Sequence, residues 1–177
     1  MGAGVGRCVG VVRRGPLLHG AIKSLLNAWD WSGCDYLIVD LPPGTGDVQL
    51  SLIQQTVVTG AVVVTTPSTV AIEDAVKAIA MFDKLQVPVL GVIENMSYFI
   101  CPNCSERHAI FSTGDGQSRA LAMALPFLGA IPLHPEVRIG GDQGKPVVAA
   151  DIDSPYAQEL RRIAGALAQR VSIQTLS

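Results

Sequence analysis

Short runs of β-formers alternate with segments of helical period along most of this chain, and that alternation leaves few folds open. Tyr36–Asp40, Ala61–Thr65, Pro88–Glu94 and Phe127–Ile131 read as strands. Pro16 to Trp29, Val48–Thr56, Val70–Leu85, Asp115–Leu125 and a last helix opened by Ser154-Pro155 read as helices. The last helix has Tyr156, Leu160, Ile163, Leu167 and Val171 on one face, and Val70–Leu85 offers Glu73 and Lys77 as an i,i+4 pair. Strands alternating with helices predict an α/β fold: a mostly parallel sheet, helices on both faces, right-handed crossovers. A single domain over residues 1–177 is expected, with an irregular cysteine-bearing insertion at 96–114 and a Pro/Gly-rich loop running from Ile131 to Lys145.

Composition fits that architecture. Apolar residues make up 49% of the chain and mean hydropathy is +0.37, as expected for strands buried on both faces. The longest β-former runs, Ala61–Val64 and Val89–Val92, are strand-sized and far short of a bilayer. A formal net charge of −2 supplies no positive field for nucleic acid or an anionic membrane. No basic region followed by an apolar core and a cleavage site opens the sequence, so no secretory signal is expected. A cytoplasmic setting follows, or a mitochondrial or plastid one in a eukaryote. The four cysteines, Cys8, Cys34, Cys101 and Cys104, are too few and too uneven for a disulfide framework.

One strand carries more chemistry than the others. Leu37-Ile38-Val39-Asp40 runs into Leu41-Pro42-Pro43-Gly44-Thr45-Gly46-Asp47. The prolines forbid helix there, the glycines admit close backbone approach, and Asp47 is placed to cap the helix that follows. A buried strand ending in an acid, then a Pro/Gly loop and a helix, is half of a nucleoside-triphosphate site: the acid holds Mg²⁺ through water and the loop senses the γ-phosphate. The plain alternative is an ordinary βα turn. Ligands of open α/β sheets sit beyond the carboxyl ends of the strands. The other ends here are Thr65-Thr66-Pro67-Ser68, Glu94-Asn95 and Ile131-Pro132-Leu133-His134. Asn95 can donate and accept to an adenine edge or simply turn the chain; the loop at Pro132 can close over a base or ribose with backbone groups.

Cys101-Pro102-Asn103-Cys104 lies in the irregular insertion, with Ser105-Glu106-Arg107-His108 after it. Two thiolates can grip one metal, but a closed site needs four ligands. Three completions stand open: two pairs meeting across a dimer, a zinc site that recruits His108, or a dithiol redox pair. The redox reading lacks the helix that would lower the thiol pKa. Cys8, Cys34, His19 and His134 have no ligand partners at recognisable spacing.

The string Asp40-Leu41-Pro42-Pro43-Gly44-Thr45-Gly46-Asp47, followed by Gly91-Val92-Ile93-Glu94-Asn95-Met96-Ser97, the Cys101–Cys104 pair, Ile131-Pro132-Leu133 and Asp142-Gln143-Gly144-Lys145-Pro146-Val147, resembles the Mrp family of P-loop ATPases. These are iron–sulfur cluster carriers related to the MinD/ParA and nitrogenase iron-protein groups. The resemblance covers nearly everything after residue 12. It implies an ATP-binding homodimer that passes clusters to apo iron–sulfur proteins. Asp40 would serve Mg²⁺, Pro43 and Gly44 the catalytic switch loop at the γ-phosphate, and Asn95 and Pro132 the base. Cys101 and Cys104 would meet their two-fold mates around a labile [4Fe–4S] cluster.

The family's glycine- and lysine-rich phosphate loop has no counterpart in this sequence. Ala3-Gly4-Val5-Gly6-Arg7-Cys8 is the nearest string, and Cys8 is a soft group where Mg²⁺ wants a hydroxyl. Impaired ATP hydrolysis is therefore expected, along with an apolar sheet edge in need of cover. The rival expectations are a non-catalytic metal-binding or dimerisation module on the same fold, and a MinD/ParA-like positioning ATPase.

Overall fold

The structure, a computed structural model, describes residues 20, 24, 26–41, 46–101, 103–111 and 116–176, apart from the side chains of Asp47 and Val48. It divides into two compact units, Met1–Val57 and Val58–Ser177.

In the first unit, the helix expected over 16–29 falls mostly outside the described residues; Gly20, Ser24, Leu26 and Asn27 within it are helical. The Trp31 indole N–H donates to the Leu26 carbonyl at 2.8 Å. Tyr36–Asp40 departs from expectation. It joins no ladder, and Tyr36, Leu37, Ile38 and Val39 are exposed. A β-former run has only the propensity; a neighbouring strand must take its N–H and C=O groups before it is a strand. Helix α1 spans Asp47–Gln55. Its N-cap is Gly46 and Asp47 is its first residue, so Asp47 is not the cap that the sequence suggests.

In the second unit, three parallel strands form a sheet in the order β1 (Ala61–Thr65), β2 (Val89–Glu94), β5 (Phe127–Ala130). These are three of the four strands expected, each within a residue of its sequence bounds. Helix α2, Thr69–Lys84, joins β1 to β2; the Ser68 hydroxyl caps it by accepting from the Ala71 N–H at 3.3 Å. Lys77 pairs with Asp74 at 2.9 Å rather than bonding the expected Glu73. Between β2 and β5 run a short antiparallel hairpin, β3 (Phe99–Ile100) and β4 (Arg107–His108), and helix α3, Gly116–Ala122. The hairpin orders part of what the sequence reads as irregular.

Helices cover both faces of the sheet, as the alternation predicts. Val92 and Glu94 of β2 look onto Ile72, Ala75 and Ile79 of α2 and onto Ala120 of α3. Ile93, between them, points the other way and packs with Leu128 and with Ile163 of α6, Pro155–Leu176. Period-two alternation thus assigns each helix its side. Gly129 lets α6 approach β5, because a methyl there would meet Ile163 Cγ1 at 2.6 Å. The Ser154 hydroxyl accepts from the Ala157 N–H at 3.2 Å and opens α6 where Ser154-Pro155 predicts. The loop expected from Ile131 to Lys145 instead holds helix α4, Pro135–Asp142, capped by His134 and tied by an Arg138–Asp142 pair at 2.6 Å. A further turn, α5 (Val147–Ala150), leads to α6. Among the described residues, no helix is long and apolar enough to cross a membrane.

Candidate functional site

Two loops lie side by side beyond the carboxyl ends of β2 and β5. The Ile131 N–H donates to the Glu94 carbonyl (2.8 Å), and the Ser97 N–H returns a bond to the Ile131 carbonyl (2.9 Å). The Leu133 N–H reaches the Tyr98 carbonyl at 2.7 Å. This stitching places Asn95 and Pro132 on neighbouring loops. It also uses the Ile131 and Leu133 N–H groups internally, so of the backbone groups this loop was expected to offer a base or ribose, the Pro132 carbonyl is the one outside that stitching.

The Asn95 turn is held from three directions. Its N–H donates to the Thr65 carbonyl at 2.7 Å, and its Oδ1 accepts from the Met96 N–H at 2.9 Å. Met96 takes a left-handed φ of 54°. Beneath, the Glu94 carboxyl is buried at 2% exposure and accepts from the Ser97 hydroxyl at 2.5 Å. Gly116 at the start of α3 makes room for it, since a methyl there would overlap the Glu94 carboxyl. With Oδ1 engaged by the Met96 N–H, the side chain of Asn95 takes the turn role.

His134 is a structural residue. Its Nδ1 accepts from the Glu136 N–H at 3.3 Å, and its ring stacks on Tyr156 with centroids 3.8 Å apart. Burial, then the nearby Glu136 and Tyr98, raise the Tyr156 phenol above its usual range.

Asp40 belongs to the first unit and is exposed, and among the described residues its carboxylate has no hydrogen-bond or ion-pair partner. Pro43 and Gly44 lie outside the described residues, as does Cys8. Cys34 is exposed and donates its S–H to the Tyr36 carbonyl at 3.1 Å.

The cysteine pair sits at the tip of the β3–β4 hairpin. The Cys101 N–H donates to the Glu106 carbonyl (2.9 Å) and the Ser105 N–H to the Cys101 carbonyl (2.8 Å), closing a tight knuckle with Ser105 at a φ of 59°. The Cys104 N–H, the Asn103 N–H and the Cys104 thiol all point at the Cys101 sulfur and pull its pKa below the ordinary thiol value. Donors aimed at a sulfur favour its thiolate, the form that binds metal. Cys101 is partly exposed and Cys104 exposed.

Residues 5–168 match the model of the ParA family described as NUBPL iron-transfer P-loop NTPase, and the chain belongs to that family. It is 55% identical over 167 residues to an iron–sulfur cluster carrier protein of Deinococcus radiodurans, covering 94% of this chain and 47% of the relative. It is 42% identical to the iron–sulfur cluster transfer protein NUBPL of Dictyostelium discoideum, over 92% of this chain and 50% of that one. The chain therefore spans about half the length of the curated relatives it matches. Among solved structures it resembles an ADP-bound nucleotide-binding protein of Archaeoglobus fulgidus, at 35% identity and a TM-score of 0.65 over 79% of this chain and 56% of that one. The fold is also that of MinD from Pyrococcus horikoshii, with a TM-score of 0.65 at 24% identity over 91% of this chain and 59% of that one.

Proposed function

We propose that this chain is part of an ATP-linked iron–sulfur cluster carrier in which Cys101 and Cys104 hold the cargo. The observation that carries the reading is the knuckle: Cys101 and Cys104 share one hairpin tip, closed by the Cys101 N–H to Glu106 carbonyl and Ser105 N–H to Cys101 carbonyl bonds, with both thiols reachable from solvent. A [4Fe–4S] cluster takes four thiolates, and one hairpin offers two, so a second copy would supply the rest across a homodimer. The exposure of the site suits a labile cargo handed to apo iron–sulfur proteins. Carrier and transfer names among relatives at 55% and 42% identity support the same reading.

The nucleotide half follows from the loops. Asp40, with a carboxylate free of partners among the described residues, would hold Mg²⁺ through water. Pro43 and Gly44 would stand at the γ-phosphate, with the Asn95 Nδ2 and the Pro132 carbonyl at the base. The bound nucleotide would supply the free energy of hydrolysis to the dimer. These 177 residues contain no glycine- and lysine-rich phosphate cradle, so we expect weak ATP hydrolysis from this stretch by itself. A non-catalytic metal-binding module is the second reading, favoured by the carboxylate and imidazole on the same hairpin.

Anaerobic reconstitution with ferrous iron and sulfide tests the first. The expected result is charge-transfer absorbance at one cluster per two chains, with a shift to dimer on gel filtration. Absence of that absorbance, or its persistence in the Cys101→Ser/Cys104→Ser double variant, overturns the carrier reading.

A further inference from the structure

The hairpin carries a second donor set that shares Cys104 with the cluster reading and adds two donors a thiolate-ligated cluster does not use. The Cys104 sulfur, a Glu106 carboxylate oxygen and a His108 ring nitrogen all lie within 4.8 Å of one another, with His108 Nε2 and Glu106 Oε2 3.9 Å apart. The cause is the strand itself. Glu106 and His108 are two residues apart on an extended segment and project from one face. Arg107 projects from the other, its guanidinium 3.6 Å from the centre of the Tyr98 ring, which keeps the nearest positive charge off the donor face. The knuckle then folds Cys104 back over that face, its turn fixed by Ser105 in the left-handed region.

We infer that Cys104, Glu106 and His108 form a mononuclear site, within one chain, for a divalent cation of the zinc or ferrous class. One thiolate, one imidazole and one carboxylate make a borderline donor set of that class, whereas Ca²⁺ and Mg²⁺ want oxygen alone. Ideal tetrahedral bonds would put sulfur and nitrogen about 3.5 Å apart, so the donors need close by only about 1 Å, within the reach of exposed side chains. All three are exposed, so a cation enters without backbone movement. One position of the shell remains for water or the neighbouring Cys101 sulfur. The inference does not rest on the carrier reading, because it uses one chain and two donors foreign to a thiolate-ligated cluster.

Titration of the reduced full chain with cobalt(II), followed by displacement with zinc(II), tests it. The expected result is one cobalt per chain with tetrahedral visible bands. His108→Ala and Glu106→Gln should each weaken zinc binding about ten-fold or more, while far-UV ellipticity stays unchanged; His108→Asn should behave like His108→Ala. Zinc bound at parental affinity by His108→Ala, or no stoichiometric zinc binding by the parent, overturns the site. Cluster reconstitution in the same variants separates the two readings. A parent that binds zinc but forms no cluster supports this site and refutes the carrier. A His108→Ala chain that forms cluster normally yet still binds zinc as the parent does refutes this site and leaves the carrier.

Discussion

Ser97→Ala is the substitution whose cost the structure fixes most sharply. Ser97 is 3% exposed and its hydroxyl is bonded to the buried carboxyl of Glu94. Deleting that hydroxyl strips a donor from a carboxyl group that solvent does not reach, and bonds to such groups are worth about 1.5–3 kcal/mol. The bond also braces Met96, whose left-handed φ of 54° is a conformation that costs an L-residue about 1–2 kcal/mol. A loss of about 2 kcal/mol is therefore expected. With a urea m-value of about 2 kcal/mol/M, the midpoint should fall by about 1 M. Far-UV ellipticity reads the transition, since α2 and α6 both belong to the Val58–Ser177 unit. A double-mutant cycle with Glu94→Gln isolates the bond, and an interaction term above about 1 kcal/mol is expected for residues in contact. A Ser97→Ala midpoint within about 0.25 M of the parent, equal to about 0.5 kcal/mol, would refute the claim that this bond holds the Asn95 turn.

Two further substitutions test the frame. Ile163→Ala should cost about 2–5 kcal/mol, because Ile163 of α6 is 4% exposed, packed on Ile93 of β2 and Leu128 of β5; thermal melting checks it, and a change under about 1 kcal/mol would misplace the core. Glu159 tests pH dependence. Arg162 grips its carboxylate at 2.9 and 2.6 Å, and that bonding lowers its pKa against a smaller opposing effect of burial. A depressed carboxylate pKa contributes stability above the unfolded value and loses it as pH falls through the folded one. Arg162 is exposed and Glu159 half-buried, so solvent screens the pair and Glu159→Gln should cost no more than about 1 kcal/mol at neutral pH. The melting curves of variant and parent should converge at pH values below the lowered pKa; a difference that persists there would assign the effect to packing.

The sequence was most legible where local pattern and burial agree. Ala61–Thr65, Val89–Glu94 and Phe127–Ala130 are β-former runs that the sheet buries, and Ser154-Pro155 opens α6 with the chemistry its residues advertise. The Cys101–Cys104 pair was visible from spacing alone. His108 stands among the sequence's candidate ligands and Glu106 does not; both reach Cys104 only through the β3–β4 pairing, a tertiary fact. Helix α4 was missed because Gly140 and Gly141 mask an eight-residue helix. Its signals were Pro135 at the first turn, His134 as cap and the Arg138–Asp142 pair at i,i+4. The opposite error occurred at Tyr36–Asp40, where strong β propensity stands without a ladder. Of the two roles the sequence allows Asn95, turn residue or base reader, the turn is visible in its Oδ1 bond to the Met96 N–H.

The stitching between the 94–98 segment and the 131–133 loop has a thermodynamic consequence. Asn95 and Cys101 are joined by a short stretch whose backbone is bonded at Asn95, Ser97, Tyr98 and Cys101, so displacing one end works against the bonds of the other. Where that opposition couples the two ends, a molecule that stabilises the Asn95 turn would change the free energy of the knuckle, and a metal on the knuckle would change the turn by the same amount. Coupling free energies are reciprocal and typically about 1–3 kcal/mol. The affinity of the hairpin for its metal should thus be a readout of what the Asn95 loop holds, measurable from either end of the same eight residues, Glu94 to Cys101.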